Sequence, residues 1–264
     1  MIIDWDEVKR VLSPIKDYFD VCRRMQVSFS YPFVHQAFNF TLPELIRYTQ
    51  KLLGGDSRHR YTDYESMLVK IFSELHQVGI HTLVDLKEQT SSQQNLELFI
   101  QQSGISVYEI VAVLKYLIYW FIPPEKYLSG LVRDDASIRN AINVSARQGV
   151  RTNLQVLQAG INSAGRKPLA DSSGLPAEVI TELVNMADFS RLPWASKATI
   201  SNIVGAGYAS MSKLANADPD QLYADFFNYG KSIGKNLKLG NEIENSYRIA
   251  KIVSVIIQSE DSDN

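Results

Sequence analysis

The sequence predicts an all-α protein built on a duplicated helical unit. Three observations carry that reading. Apolar residues recur at helical spacing along nearly the whole chain, period-two alternation is almost absent, and a glycine-marked pattern returns after 70 residues.

The helical spacing is clearest between Tyr64 and Val78, where Tyr64, Met67, Leu68, Ile71, Phe72, Leu75 and Val78 form one stripe. Thr62 or Asp63 can cap its start, and Gly79 stands where a C-cap belongs. Near the end, Ile243, Tyr247, Ala250, Val253 and Ile257 share a face, with charged residues opposite. The first part reads as helices near 4–25, 42–53 and 62–78, the first broken or bent at Ser13-Pro14. Residues 54–60 form a polar, glycine-opened loop. The aromatic stretch Ser28–Phe40 reads as an irregular strap packed on the helices; the overlapping run Val27–Tyr31 is the one weak alternation. Asp134-Asp135 read as the cap and first turn of a helix over 135–148, where acidic charge suits the helix dipole.

The 70-residue offset pairs Gly79-Ile80-His81-Thr82 with Gly149-Val150-Arg151-Thr152. It also pairs Ser103-Gly104-Ile105 with Ser173-Gly174-Leu175, and Ile122-Pro123 with Leu192-Pro193. In each turn the glycine ends one helix, a buried hydrophobe follows, and a hydroxyl caps the next helix. The same turn is expected at Gly160-Ile161-Asn162-Ser163 and at Gly207-Tyr208-Ala209-Ser210. The chain therefore divides into an N-terminal helical region (1–74), a first unit (75–148), a second unit with a C-terminal helix (149–258) and an acidic tail (259–264).

Residues 149–253 resemble a bacterial family, the domain of unknown function 4332, within the helix-hairpin-helix superfamily. The resemblance rests on Gly149-Val150-Arg151-Thr152, Gly165-Arg166-Lys167-Pro168-Leu169-Ala170, Ser173-Gly174-Leu175, the run Leu183–Leu192, the run Ala206–Ala215 and Asp218-Pro219-Asp220-Gln221-Leu222. With the preceding copy it covers roughly 70–250. It implies tandem helix-hairpin-helix-like units. In DNA-binding members of that superfamily a Gly-x-Gly hairpin offers backbone N–H groups to a phosphate. At the place the resemblance assigns to that hairpin, after Arg191-Leu192, this chain reads Pro193-Trp194-Ala195-Ser196. The first copy reads Pro123-Pro124-Glu125. Both have lost N–H donors.

Composition narrows the function classes. With 27 basic and 29 acidic side chains the net charge is −2, so no global field attracts nucleic acid. Cys22 is the single cysteine, which excludes an internal disulfide and fits a reducing, cytoplasmic compartment. The N-terminus lacks a signal-peptide pattern, and Ile105–Ile122, interrupted by Glu109 and Lys115, is too short for a membrane span. His35, His59, His76 and His81 lie in no metal-ligand spacing, and no nucleophile elbow or phosphate loop occurs, so neither an enzyme nor a bound cofactor or metal is predicted.

The expectation is a non-enzymatic interaction or scaffold protein that binds a protein partner or self-associates. The helix 107–121 is apolar nearly all round and must be covered on two sides, either by the N-terminal helices or by a partner. Tyr116, Tyr119 and Trp120 are candidate partner anchors there, with Trp194 in the second unit. Trp120 is expected in the core, and the two tyrosines are left open. The alternative is a nucleic-acid-binding accessory protein that uses Arg58, Arg60, Arg166, Lys167 and Lys197 on phosphates.

Overall fold

Most helices begin where a polar side chain can take up the N–H groups that an α-helix leaves unpaired at its start. In the computed structural model, which describes residues 3–54, 59–131, 136–192, 195–237, 241–253 and 255–257, the chain divides into two units, Met1–Ile122 and Pro123–Asn264. The first holds α1 (Trp5–Leu12), α2 (Tyr18–Ser28), α3 (Pro32–Phe38), α4 (Leu42–Leu53), α5 (His59–Gln77), α6 (Leu83–Gln89), α7 (Gln93–Ser103) and α8 (Val107–Trp120). The second opens with a 3-10 turn at Leu128–Gly130. It continues with α9 (Ala136–Arg147), α10 (Asn153–Gly160), α11 (Ser163–Ser173), α12 (Ala177–Phe189), α13 (Lys197–Gly205), α14 (Met211–Ala215), α15 (Pro219–Ser232) and α16 (Asn241–Ala250). The fold is all-α, and among the described residues the only extended pairing is two isolated bridges.

The unit boundary at Ile122–Pro123 joins residues 1–74 and the first copy in one body. Residues 123–148, which the sequence pattern assigns to the first unit, sit in the second. The aromatic strap is corrected in part: Pro32 supplies a helix start and α3 forms over Pro32–Phe38, with Phe33, Val34 and Phe38 buried. The break at Ser13-Pro14 is present, separating α1 from α2. Residues 134–135 lie outside the described residues.

The glycine turns follow one geometry. Gly79 has φ +91° and Gly149 φ +86°, left-handed values that cost glycine little and other residues more. The Ile80 N–H donates to the Leu75 carbonyl (3.1 Å) and the Val150 N–H to the Ser145 carbonyl (2.9 Å), closing each preceding helix in a Schellman pattern. Thr82 and Thr152 then cap α6 and α10 in capping boxes with Asp85 and Gln155. Both threonines bridge an earlier segment, Thr82 to Thr41 and Thr152 to Tyr127, each through two backbone hydrogen bonds of 2.9–3.0 Å. The turn at Gly207 (φ +100°) repeats the pattern, with Ser210 capping α14. Gly160 does not: it ends α10 without a left-handed φ, and a Cβ there would stand 2.5 Å from Val184 Cγ2. Its role is close approach of α10 to α12, not reversal.

The second unit is pinned by Asn153, which is fully buried. Its Oδ1 accepts from the Lys126 N–H (2.7 Å), and its Nδ2 donates to the Pro124 carbonyl (2.9 Å) and to Ser190 Oγ (2.6 Å). One side chain thus ties the segment before the 3-10 turn to the start of α10 and the end of α12. Removing it strands several buried polar groups, so Asn153→Ala should lower unfolding free energy by about 3 kcal/mol in urea denaturation, while Asn162→Ala, an exposed cap, should cost about 1 kcal/mol.

Candidate functional site

The predicted partner anchors on α8 separate by burial. Tyr116 is 1% exposed, and its hydroxyl donates to Thr49 Oγ1 at 3.0 Å. Its ring lies 5.7 Å from Phe121 and about 6 Å from Tyr64 and Trp120, the centre of an aromatic cluster that Phe40 and Tyr48 extend. Burial pushes its phenol pKa up. For Tyr116 the partner-surface expectation therefore gives way to a core role. Trp120 and Tyr119 are half-buried, so the deepest aromatic is the tyrosine and not the tryptophan. The helix is covered by α1, α2 and α5, which explains its apolar circumference. Trp194 lies outside the described residues.

The cations proposed for phosphate also disperse. Arg166, near the start of α11, is 6% exposed and its Nη1 donates to the Gly160 carbonyl (3.1 Å) and the Ile161 carbonyl (3.3 Å). That is a C-capping role for α10, and it draws the guanidinium away from solvent. Lys167 is exposed and pairs with Asp171 at 3.1 Å. Lys197 opens α13, half-buried, one residue after the Ser196 cap. Arg58 and the side chain of Arg60 lie outside the described residues. Of the described cations, Lys167 is exposed on α11, Lys197 is half-buried on α13, and Arg166 is turned into the unit. In the sequence that stands in place of the phosphate hairpin, Pro193 and Trp194 lie outside the described residues, and the Ala195 carbonyl accepts from the Lys126 ammonium at 3.0 Å.

The feature that sequence reasoning missed is a cleft of about 770 Å³ in the second unit, within the range of ligand and peptide sites. One wall is the stripe Glu178, Thr181, Glu182 and Asn185 of α12, spaced i, i+3, i+4, i+7 on one helical face. Met186 and Met211 supply apolar surface, and Val255 and Ile257 line it from the C-terminal segment. The half-polar pattern of α12 against the apolar α8 was the available signal. It does not say whether such a polar stripe faces bulk water or a concavity.

Asp188 and Arg191 form a buried ion pair at the end of this wall, with side chains 1% and 0% exposed and Nε 2.5 Å from Oδ1. Burial pushes the Asp188 carboxyl up, and Arg191 pulls the other way. The remaining titratable features are smaller: His76 and His81 meet edge to face at 5.3 Å, and Cys22, whose thiol pKa burial raises, lines a separate cavity of about 300 Å³ beside Thr90. Among the described residues no cluster of three metal-ligating side chains forms, and no helix is long and apolar enough to cross a membrane.

The second unit is thus a many-helix α domain whose distinctive elements are a capped glycine turn and a walled cleft. Residues 140–239 match the model of a family described as a domain of unknown function (DUF4332), the family the sequence resembles. The matched region runs from within α9 to beyond α15 and does not include the first copy at 79–123. No curated protein and no solved structure matches the chain.

Two outcomes test this geometry. Tyr116→Ala should destabilise the protein by about 3–5 kcal/mol in urea melts, and Trp120→Ala by roughly half of that, because only Tyr116 is fully enclosed. Arg191→Met leaves Asp188 charged and uncompensated, costing about 3–5 kcal/mol at pH 7. A carboxyl whose folded pKa lies above its unfolded value stabilises below that window and loses the contribution as pH rises through it. The gap between Arg191→Met and the parent should therefore narrow as melts are repeated from pH 7 toward pH 5.

Proposed function

We propose that this chain is a non-enzymatic interaction or scaffold protein of the bacterial cytoplasm that binds a protein partner through two helix-hairpin-helix-like units derived by duplication. The observation that carries the reading is the 70-residue offset between the element starts of the two copies. Leu83, Gln93 and Val107 begin α6, α7 and α8; Asn153, Ser163 and Ala177 begin α10, α11 and α12. Gly104 and Gly174 follow α7 and α11 in left-handed conformation (φ +73° and +64°), and the threonine bridges repeat as well. A helical frame used twice, with different side chains on the equivalent helices α8 and α12, suits recognition by surface variation better than chemistry at one centre.

The nucleic-acid alternative rests on Lys197, the first residue of α13, and on Lys167, the fifth of α11, as cations that can meet a phosphate. Against it stand the internal bonds of Arg166 and the ion pair of Lys167. Capture of the same host proteins by immobilised full-length chain with and without nuclease supports the scaffold reading. In a parallel anisotropy titration with duplex DNA at physiological salt, the expected dissociation constant is above about 1 μM and strongly salt-dependent. Sub-micromolar binding that weakens in Lys167→Ala and Lys197→Ala would replace the scaffold reading by the nucleic-acid one.

A further inference from the structure

We propose that the outer face of α15 is a self-association surface, on which a second copy of this chain docks its own α15 antiparallel. Such pairing is independent of the scaffold reading, because a chain with or without host partners can associate this way. The repeated frame shows why this face stands out. Among the described residues the glycines with positive φ fall in three pairs: Gly79 with Gly104, Gly149 with Gly174, and Gly207 with Gly234. Inside each pair come a shorter and a longer helix: α6 and α7, α10 and α11, α14 and α15. The longer helices are capped in turn by Ser92, Asn162 and Asp218. Five residues past the cap stand Glu97, Lys167 and Tyr223, and nine past it stand Gln101, Asp171 and Phe227. Two helices in the same place of the frame therefore fold with polar residues where α15 has aromatics. Packing within the second unit does not call for Tyr223 or Phe227, which are 57% and 42% exposed.

The chemistry of the face selects its occupant. Asp220, Tyr223, Phe227 and Lys231 follow at i, i+3, i+7 and i+11, one stripe along the helix, and all four are exposed. The opposite side buries Leu222, Phe226 and Gly230. Two other carboxylates are used locally: Asp218 caps the helix, and Asp225 accepts from the Tyr208 hydroxyl (2.8 Å) and the Gln221 amide (2.7 Å). The Lys231 ammonium lies 4.2 Å from the centroid of the Phe227 ring. The stripe is thus acidic toward the helix start, aromatic in the middle and basic toward the end. Turned end for end about a two-fold axis near residue 225, it complements itself. Asp220 of each chain meets Lys231 of the other, and Tyr223 meets Phe227. Asp220 and Lys231 stand about 16 Å apart at 1.5 Å per residue and mark the two ends of the contact. A parallel pairing sets like charges together and is disfavoured. Ion pairs this exposed fix orientation, while the aromatics supply most of the affinity. One helix pair buries less than the roughly 1,200 Å² of a standard interface. The dimer is therefore weak, with a dissociation constant on the order of 100 μM.

Sedimentation equilibrium of the full-length chain from about 10 μM to about 1 mM tests this. A monomer–dimer equilibrium is expected. Phe227→Asp, which gives α15 the residue that α11 carries at that place, should abolish it with little change in melting temperature. Asp220→Lys and Lys231→Glu should each weaken the dimer by about fivefold or more, because each sets like charges together at both ends. An equimolar mixture of those two variants should regain the dimer, since every lysine of the stripe then faces a carboxylate. That rescue separates antiparallel pairing from general stickiness, and it is readable even if Phe227→Asp fails to fold. A monomer throughout the range overturns the proposal. So does a dimer undiminished in folded Phe227→Asp, or a mixture that stays as weak as its components. A monomeric chain whose host capture is lost in Phe227→Asp would give the face to another protein and refute the second copy. A dimer with the expected rescue but no host capture would uphold the pairing and sink the scaffold reading.

Discussion

The structure depends on how a helical chain reverses direction twice in the same way. At Gly79 and again at Gly149 the backbone turns left-handed, the following hydrophobe bonds back to the previous helix, and a threonine starts the next one. Neither turn is free-standing. Each is clamped to an earlier segment by two backbone hydrogen bonds around Thr82 or Thr152, so helices distant in sequence leave the turn in fixed directions. A β-branched residue at either glycine would strain the turn and pull on the bridge together.

The two segments that start 70 residues apart differ in what covers their third helix. In the first, α8 meets α1, α2 and α5, and its apolar circumference is satisfied by helices of its own unit. In the second, α12 meets α10, α11, α9 and α14 instead, with Gly160 allowing α10 to come close to Val184. On another side of α12, Glu178, Thr181, Glu182 and Asn185 line the cleft together with residues of α13, α14 and the C-terminal segment. The cleft-lining face of α12 carries glutamate, threonine and asparagine, whereas the corresponding positions of α8 include Val111, Ala112 and a lysine that donates to carbonyls at the end of α1.

Helix class and turns were legible because they are written locally. The stripe from Tyr64 to Leu75 lies within α5, although that helix starts at His59 rather than at a Thr62 or Asp63 cap and Val78 falls past its end, exposed; Gly79 and Gly149 showed positive φ, and Thr82 and Thr152 formed their caps. The pattern failed where tertiary contact chooses between equivalent local readings. Gly160-Ile161-Asn162-Ser163 has the same letters as a reversing turn, yet the glycine serves helix contact. The strap at 28–40 contains a helix because Pro32 fixes a helical φ and Phe33, Val34 and Phe38 find a common core. Tyr116 and Trp120 are four residues apart and share a helix face, so composition could not rank their burial; Tyr116 is the one fully enclosed, with its hydroxyl donating to Thr49 on α4. The domain border at Ile122–Pro123 was equally invisible, since a proline pair marks a stop without saying which body the next segment joins.

The same reasoning accounts for where several cations of the second unit are spent. Arg166 follows a glycine at a helix start, a position that favours anions, but its side chain reaches back and closes α10. Arg191 is consumed by Asp188 within one turn, and Lys126 holds the Ala195 carbonyl although burial lowers its pKa. Each of these charges replaces a backbone or side-chain partner that an all-helical unit with short connections would otherwise leave unsatisfied. In the second unit, then, Arg166, Arg191 and Lys126 act as internal stitches between segments of the same body.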